Sequence, residues 1–158
     1  MEWVEGRGKS TFIHTLVTAI RQLFQSEDAV AVCGPTGSAA FGAGGSTCHH
    51  LFSLPMDATL GEIGATKLKR IKQKLAKVVA LIVDERSMLS SAVLAMMEHH
   101  CKLGAYRGQK CDQEWGGIPI VLLVGDDYQL PSIDCGAIHI FDSSLKKNFV
   151  TIAGEYIF

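Results

Sequence analysis

The chain has 158 residues, 47% of them hydrophobic and 20% charged, with a formal net charge of −1. That is a single domain's length with enough apolar material for a core, and it excludes a disordered chain. No apolar run approaches the roughly 20 residues of a membrane helix, the opening MEWVEGRGKS lacks a signal-peptide core, and the near-zero charge confines any nucleic-acid site to a local patch.

Five cysteines, at positions 33, 48, 101, 111 and 135, form no C-x-x-C pair. An odd, scattered set argues for buried thiols in a reducing compartment, not a disulfide framework. His99, His100, Cys101 and Cys111 match no zinc spacing.

The first element is a helix over Ser10 to Phe24, with Phe12, Ile13, Leu16, Ile20, Leu23 and Phe24 on one broad stripe. It opens on Gly6-Arg7-Gly8-Lys9-Ser10-Thr11, the G-K-S end of a phosphate loop with Trp3 at the first glycine position. Glycines let successive N–H groups face one anion, and the helix start adds partial positive charge. Lys9 can then reach terminal phosphates, and the Ser10 hydroxyl can bind Mg²⁺. The alternative is a glycine turn beside a lysine.

A β-branched run follows, Ala29 to Cys33, and it lacks polar alternation, as a strand covered on both faces does. The Gly/Ala-rich stretch Gly34 to Ser46 comes next. Residues Thr66 to Lys77 form an amphipathic helix, with Leu68, Ile71 and Leu75 on one face and Lys67, Arg70, Lys74 and Lys77 on the other. Its basic cluster, which also holds Lys69 and Lys72, reads as a solvated face or as a salt-dependent phosphate contact.

Val78 to Val83 is a second buried strand, and it runs into Asp84-Glu85. Carboxylates at the C-terminal end of such a strand suit a Mg²⁺ holder, Asp84, and a general base, Glu85. The alternative is an N-cap pair for the next helix. That helix, Leu89 to Leu103, carries Leu89, Val93, Met96 and His100 at helical spacing. Gly104 to Gly117 reads as a polar loop. A third strand, Ile118 to Val124, runs into Gly125-Asp126-Asp127-Tyr128-Gln129, where Gln129 can read a γ-phosphate or the attacking water; a Gly/Asp-rich turn is the alternative. The segment beyond Asp134 suggests a helix near 142–147 and a strand near 149–152. Strands alternating with helices predict an α/β domain with a mostly parallel sheet. Three phosphate-suited clusters, each at a strand end or helix start, agree on a nucleotide site.

With these motifs in place, the chain resembles the petite-integration-frequency (PIF-type) DNA helicases of superfamily one over nearly its whole length. GRGKST stands as motif I, CGPTGSAAFGAGGSTCHHLFSLP as motif Ia with the segment after it, ALIVDERSMLSS as motif II and GGIPIVLLVGDDYQLPS as motif III. The second is the most specific. The resemblance implies a RecA-like P-loop lobe with helices on both faces of the sheet, using ATP and Mg²⁺ for 5′-to-3′ translocation on single-stranded DNA and duplex unwinding. It carries with it work in DNA repair, recombination and telomere maintenance, in nucleus, mitochondrion or cytoplasm.

By position, the resemblance assigns Gly6, Gly8, Lys9, Ser10 and Thr11 to ATP, Asp84 with Ser10 to Mg²⁺, and Glu85 to water activation. It assigns Gly125, Asp126 and Gln129 to γ-phosphate sensing, and Thr36, Gly37, Thr47 and His49 to the DNA-facing surface. For Gly37, Ala39 and Ala40, close helix packing is the alternative. Arg86 stands where the family has an aliphatic residue, and Asp127 where an aromatic is usual. The expectation is a first lobe only, a fragment whose second RecA-like lobe lies elsewhere in the same polypeptide, binding ATP weakly and unwinding nothing alone. The competing readings are a decayed lobe that folds and binds DNA or a partner without turnover, and a small-molecule kinase. No small-substrate pocket is visible for the last.

Overall fold

A computed structural model describes residues 8–55, 63–104 and 112–125. The elements in chain order are α1 (Gly8–Phe24), β1 (Val30–Gly34), α2 (Gly37–Gly42), β2 (Ser46–Thr47), α3 (Cys48–Phe52), α4 (Ala65–Leu75), β3 (Ala80–Val83), α5 (Ser91–Gly104) and β4 (Ile120–Leu123). The four strands form one parallel sheet in the order β2-β1-β3-β4. In the central pair, Val30 to Cys33 align with Ala80 to Val83. This is the α/β architecture with a parallel sheet that the alternation of apolar runs and helices predicts, and it agrees with the RecA-like lobe that the resemblance implies.

The strand period of two sorts the core into two layers. Val30, Val32, Ala80 and Ile82 point to one side, where Ile13, Val17 and Ile20 of α1 cover them. Ala31, Cys33, Leu81 and Val83 point to the other, against α3, α4 and α5. Both strands are therefore buried on both faces, and that is why their sequences are continuously apolar. Helices α4 and α5 cross closely where α5 ends: a Cβ on Gly104 would lie 2.7 Å from Ile71 Cγ2, so no side chain fits there.

Four readings need correction or refinement. The α1 stripe is narrower than its apolar residues suggest: Phe12, Leu23 and Phe24 are exposed, and Val17 joins Ile13 and Ile20 in the core. The third strand is not fully covered: Ile120 is exposed and only Leu123 is buried, because β4 is the outer strand of the described sheet. The Gly/Ala-rich stretch 34–46 contains a helix, α2. The expected polar loop before β4 includes a short 3₁₀ turn, Glu114–Gly117, that buries Trp115 against α5. Cys33, Cys48 and Cys101 are buried free thiols. The expectations for Cys111, Cys135 and the segments beyond Asp134 lie outside the described residues.

Candidate functional site

A parallel sheet places the C-terminal ends of all its strands along one edge. Thr36 and Gly37 follow β1, His49 follows β2, Asp84 and Glu85 follow β3, and Gly125 follows β4. The chain therefore delivers three separate polar clusters, and Gly125, to the same rim.

The start of α1 joins them there. Lys9 Nζ lies 3.3 Å from Glu85 Oε1, an ion pair linking residues 76 positions apart. Both side chains are part-buried. Gly8 opens the helix, and among the described residues nothing lies within 4 Å of where its Cβ would sit. Ser10 and Thr11 follow within that turn.

The acidic pair is held by backbone on both flanks. The Asp84 N–H donates to the Cys33 carbonyl (2.8 Å), extending the β1–β3 ladder by one residue. The Glu85 N–H donates to Asp84 Oδ1 (2.9 Å), and the Arg86 N–H donates to the Val124 carbonyl (2.9 Å). Between these anchors Glu85 takes φ 52° and ψ 47°, the left-handed region that a side chain occupies at a cost of about 1–2 kcal/mol. The strained backbone turns the Glu85 carboxylate back toward Lys9. Glu85 stands at the N-cap position of a 3₁₀ turn, Arg86–Met88, but makes no side-chain cap bond there, and α5 begins later, at Ser91.

The donor set fits a divalent hard cation. Asp84 is 6% exposed, and Glu85 Oε2 is a buried oxygen with no hydrogen-bond partner among the described residues. A serine hydroxyl and a carboxylate are the oxygen ligands that Mg²⁺ takes beside its waters and substrate phosphates. Among the described residues no three His, Cys, Asp or Glu side chains gather into a metal cage, and Mg²⁺ of this kind does not use one.

On the β1–β2 side, Thr36 and Thr47 are the N-caps of α2 and α3. Thr36 Oγ1 accepts from the Ala39 N–H and Thr47 Oγ1 from the His50 N–H, each at 3.2 Å. Ala39 and Ala40 pack on Gly34, where an added Cβ would come 3.0 Å from Ala39 Cβ and from the Ala40 nitrogen; for the alanines the packing alternative therefore holds. Gly37 has no such neighbour: nothing lies within 4 Å of its Cβ position. His49 is part-exposed on α3. Gly6, Asp126 and Gln129 lie outside the described residues, as do Trp3 and Asp127.

Two further residues bear on the rim, His14, which carries no sequence signal, and Arg86, which departs from the family pattern. His14 Nε2 lies 3.1 Å from the Gly42 carbonyl, joining α1 to the end of α2. Arg86 is buried, and a Cβ on Gly125 would come 2.7 Å from its Cγ. Its aliphatic stem packs against Gly125, just after β4.

A family model described as PIF1-like helicase matches residues 2–150. The ATP-dependent DNA helicase RRM3 of Saccharomyces cerevisiae is 33% identical over 132 residues, covering 81% of this chain but 17% of that protein. A crystal structure of Bacteroides Pif1 bound to ssDNA superposes with a TM-score of 0.61 at 30% identity, over 80% of this chain and 28% of that one. The Bacteroides sp Pif1 complex with ADP-AlF4 gives 0.61 at 28% identity, over 89% and 30%. The chain thus spans less than a third of the length of each. No described helix is long and apolar enough to cross a membrane.

Proposed function

This chain belongs to the PIF1-like helicase family, and from that premise we propose that it is the first RecA-like lobe of a 5′-to-3′ DNA helicase motor, binding ATP with Mg²⁺ and single-stranded DNA along adjoining parts of one rim. A second RecA-like lobe of the same polypeptide supplies the rest of the ATP site, including an arginine finger, and the other wall of the DNA groove. The observation that carries the reading is the Lys9–Glu85 contact. It unites the phosphate-loop lysine with the strand-end carboxylate, groups of opposite charge that ATP hydrolysis uses on opposite sides of the γ-phosphate.

The chain's own groups divide the work as follows. Lys9 exchanges its contact with Glu85 for the terminal phosphates when nucleotide arrives. Freed of the lysine, Glu85 accepts the proton of the attacking water. Ser10 and Asp84 hold Mg²⁺, which neutralises charge on the β- and γ-phosphates when bound. By the family resemblance, Gly6, Gly8 and Thr11 take the nucleotide, and Gly125, Asp126 and Gln129 sense its γ-phosphate. Thr36, Gly37, Thr47 and His49 take the DNA backbone without reading sequence.

Binding of a fluorescent ATP analogue in the presence of Mg²⁺ tests the reading. Removing the charge-assisted bond in Lys9→Ala weakens binding roughly ten- to a hundred-fold, with the melting temperature little changed because Lys9 is part-exposed. An unchanged affinity overturns the nucleotide assignment. DNA-stimulated turnover that vanishes in Lys9→Ala identifies a motor lobe. Nucleotide binding with no turnover, even when a second lobe is supplied, identifies a decayed one.

A further inference from the structure

Between α3 and α4 lies an open groove of about 390 Å³ lined by His50, Ser53, Arg70, Gln73 and Lys74. We propose that this groove seats a phosphodiester of the bound single-stranded DNA, extending the path that starts at Thr36, Gly37, Thr47 and His49. The inference rests on the DNA-binding half of the reading above.

The first support is charge. Helix α4 reads ATKLKRIKQKL, five cations and no carboxylate in eleven residues, in a chain whose net charge is −1. Among the described residues no carboxylate pairs with Arg70 or Lys74. Lys77, just past the helix, differs in having Asp28 3.4 Å away. The second support is direction. The apolar stripe of α4, with Ile71 and Leu75 buried, turns Arg70 and Lys74 to the flank that faces α3, and Lys69 and Lys72 to the other flank, where they border a more apolar groove with Leu68 and Ala76. Lys74 Nζ donates to the His50 carbonyl at 2.9 Å, so its ammonium is fixed over the groove with donors to spare.

The third support is the cost of holding these cations together. Burial and the neighbouring Arg70 guanidinium both push the Lys74 ammonium below its ordinary range. Two like charges brought together at a part-buried position repel, and an anion between them removes the repulsion. The fourth is continuity. Helix α3 runs from its N-cap Thr47 to its C-cap Ser53, about 9 Å at the α-helical rise. One end of this short helix carries the DNA-facing threonine and the other borders the groove. A backbone leaving Thr47 and His49 along α3 reaches Arg70 and Lys74 next. The two cations give the groove charge to hold a phosphodiester oxygen, a contact that carries no sequence information.

Binding of a fluorescent oligo-dT to the full chain, titrated across salt concentration, tests the proposal. Removing one phosphate-binding cation lowers the magnitude of the log–log salt slope by about 0.7 for a single strand. Arg70→Gln is expected to lower it by about that amount, and Arg70→Gln with Lys74→Gln by about 1.4. The single Arg70 variant keeps the Lys74 tie to α3, so it reads the contact if the double variant folds poorly. Lys69→Gln with Lys72→Gln, on the opposite flank, is expected to leave the slope as it was. An unchanged slope in Arg70→Gln, with binding still abolished in a His49→Ala variant, overturns the groove and leaves the DNA face standing. An equal fall in both pairs of variants overturns the groove in favour of a diffuse basic surface. A native chain that binds no oligo-dT overturns both the groove and the DNA-facing assignment.

Discussion

Replacing Gly37 by Ala separates the two readings of the small residues after β1. If Gly37 is small for packing, a methyl group must clash; if it is small so that a DNA backbone can approach, the methyl leaves the fold intact and obstructs the ligand. The structure favours the second outcome for stability, since among the described residues nothing lies within 4 Å of the added Cβ and the residue does not sit in the left-handed region. Gly37 is the first residue of α2, behind the Thr36 cap. Removing its unfolded-state freedom stabilises the protein by about 0.4–1 kcal/mol, equivalent to a rise of roughly 1–4 °C in Tm for a domain of this size. On the ligand side, displacing one phosphate from backbone N–H groups costs about 1.5–3 kcal/mol, the worth of a hydrogen bond to a charged group, so affinity for oligo-dT is expected to fall by roughly ten-fold or more. Circular dichroism melts and fluorescence anisotropy on the same preparation read both quantities. A raised Tm with native affinity for oligo-dT refutes the placement of Gly37 on the DNA face.

Gly45→Ala is the opposite case. Its Cβ would overlap the Val32 carbonyl oxygen and come 2.6 Å from the Val32 carbonyl carbon. The clash is with a central strand, so a loss of about 3 kcal/mol and a Tm lower by roughly 6–12 °C are expected. A Tm within a degree or two of the parent would show that the approach to β2 is looser than described. Glu98 is a buried carboxylate whose Oε1 accepts from Lys102 Nζ at 2.7 Å and from the Trp115 N–H at 3.2 Å. Glu98→Ala removes the acceptor of the Trp115 N–H and the carboxylate beside Lys102 and is expected to cost about 3 kcal/mol. Glu98→Gln, which keeps an acceptor for Trp115, costs less; equal losses, measured by urea unfolding, would deny the Trp115 contact its role.

His100 is buried with its Nδ1 2.6 Å from the Phe52 carbonyl, so the neutral ring donates there. Burial is the larger influence and holds its pKa below the ordinary value despite that bond. The unfolded chain then binds more protons, so this contribution to stability is complete above the ordinary histidine pKa of about 6.5 and is lost as pH falls below it. A Tm that declines from neutral toward mildly acidic pH in the parent, and less steeply in His100→Asn, is the expected result. Equal declines would assign the effect to another group.

The parts of the fold legible in the sequence are those in which one local pattern decides the outcome. Strands β1 and β3 stand where unbroken apolar runs predict them because both faces of each are covered. The strand-end carboxylates are legible for the same reason: a polar pair directly after such a run must fall at the rim. Phe12, Leu23 and Phe24 mislead a sequence reading of α1 because hydrophobicity states what can be buried, not what the sheet is wide enough to cover. Ile120 misleads similarly, since an outer strand carries the same residues as an inner one. Trp115 is hidden inside a polar run, and its partner Glu98 looks in sequence like half of a surface pair with Lys102, spaced i to i+4. Only the third dimension places that carboxylate under the turn before β4.

The same limit explains why the rim can be named but not assembled from sequence. Each motif specifies a local geometry, while their meeting depends on strand order. With β3 beside both β1 and β4, the Asp84 N–H is tied to Cys33 and the Arg86 N–H to Val124. Glu85 is the one residue between these two ties, and the two anchors leave it the left-handed conformation. A carboxylate aimed at Lys9 is thus a product of neighbouring strands gripping the backbone on either side of it. The preference of glutamate itself runs the other way, toward the right-handed regions. Arg86 and Gly125 belong to the same grip: the backbone at Gly125 can sit on the Arg86 stem because residue 125 has no side chain. Orientation of the proposed general base is therefore a property of the sheet, set by the β1–β3–β4 order before any nucleotide is bound.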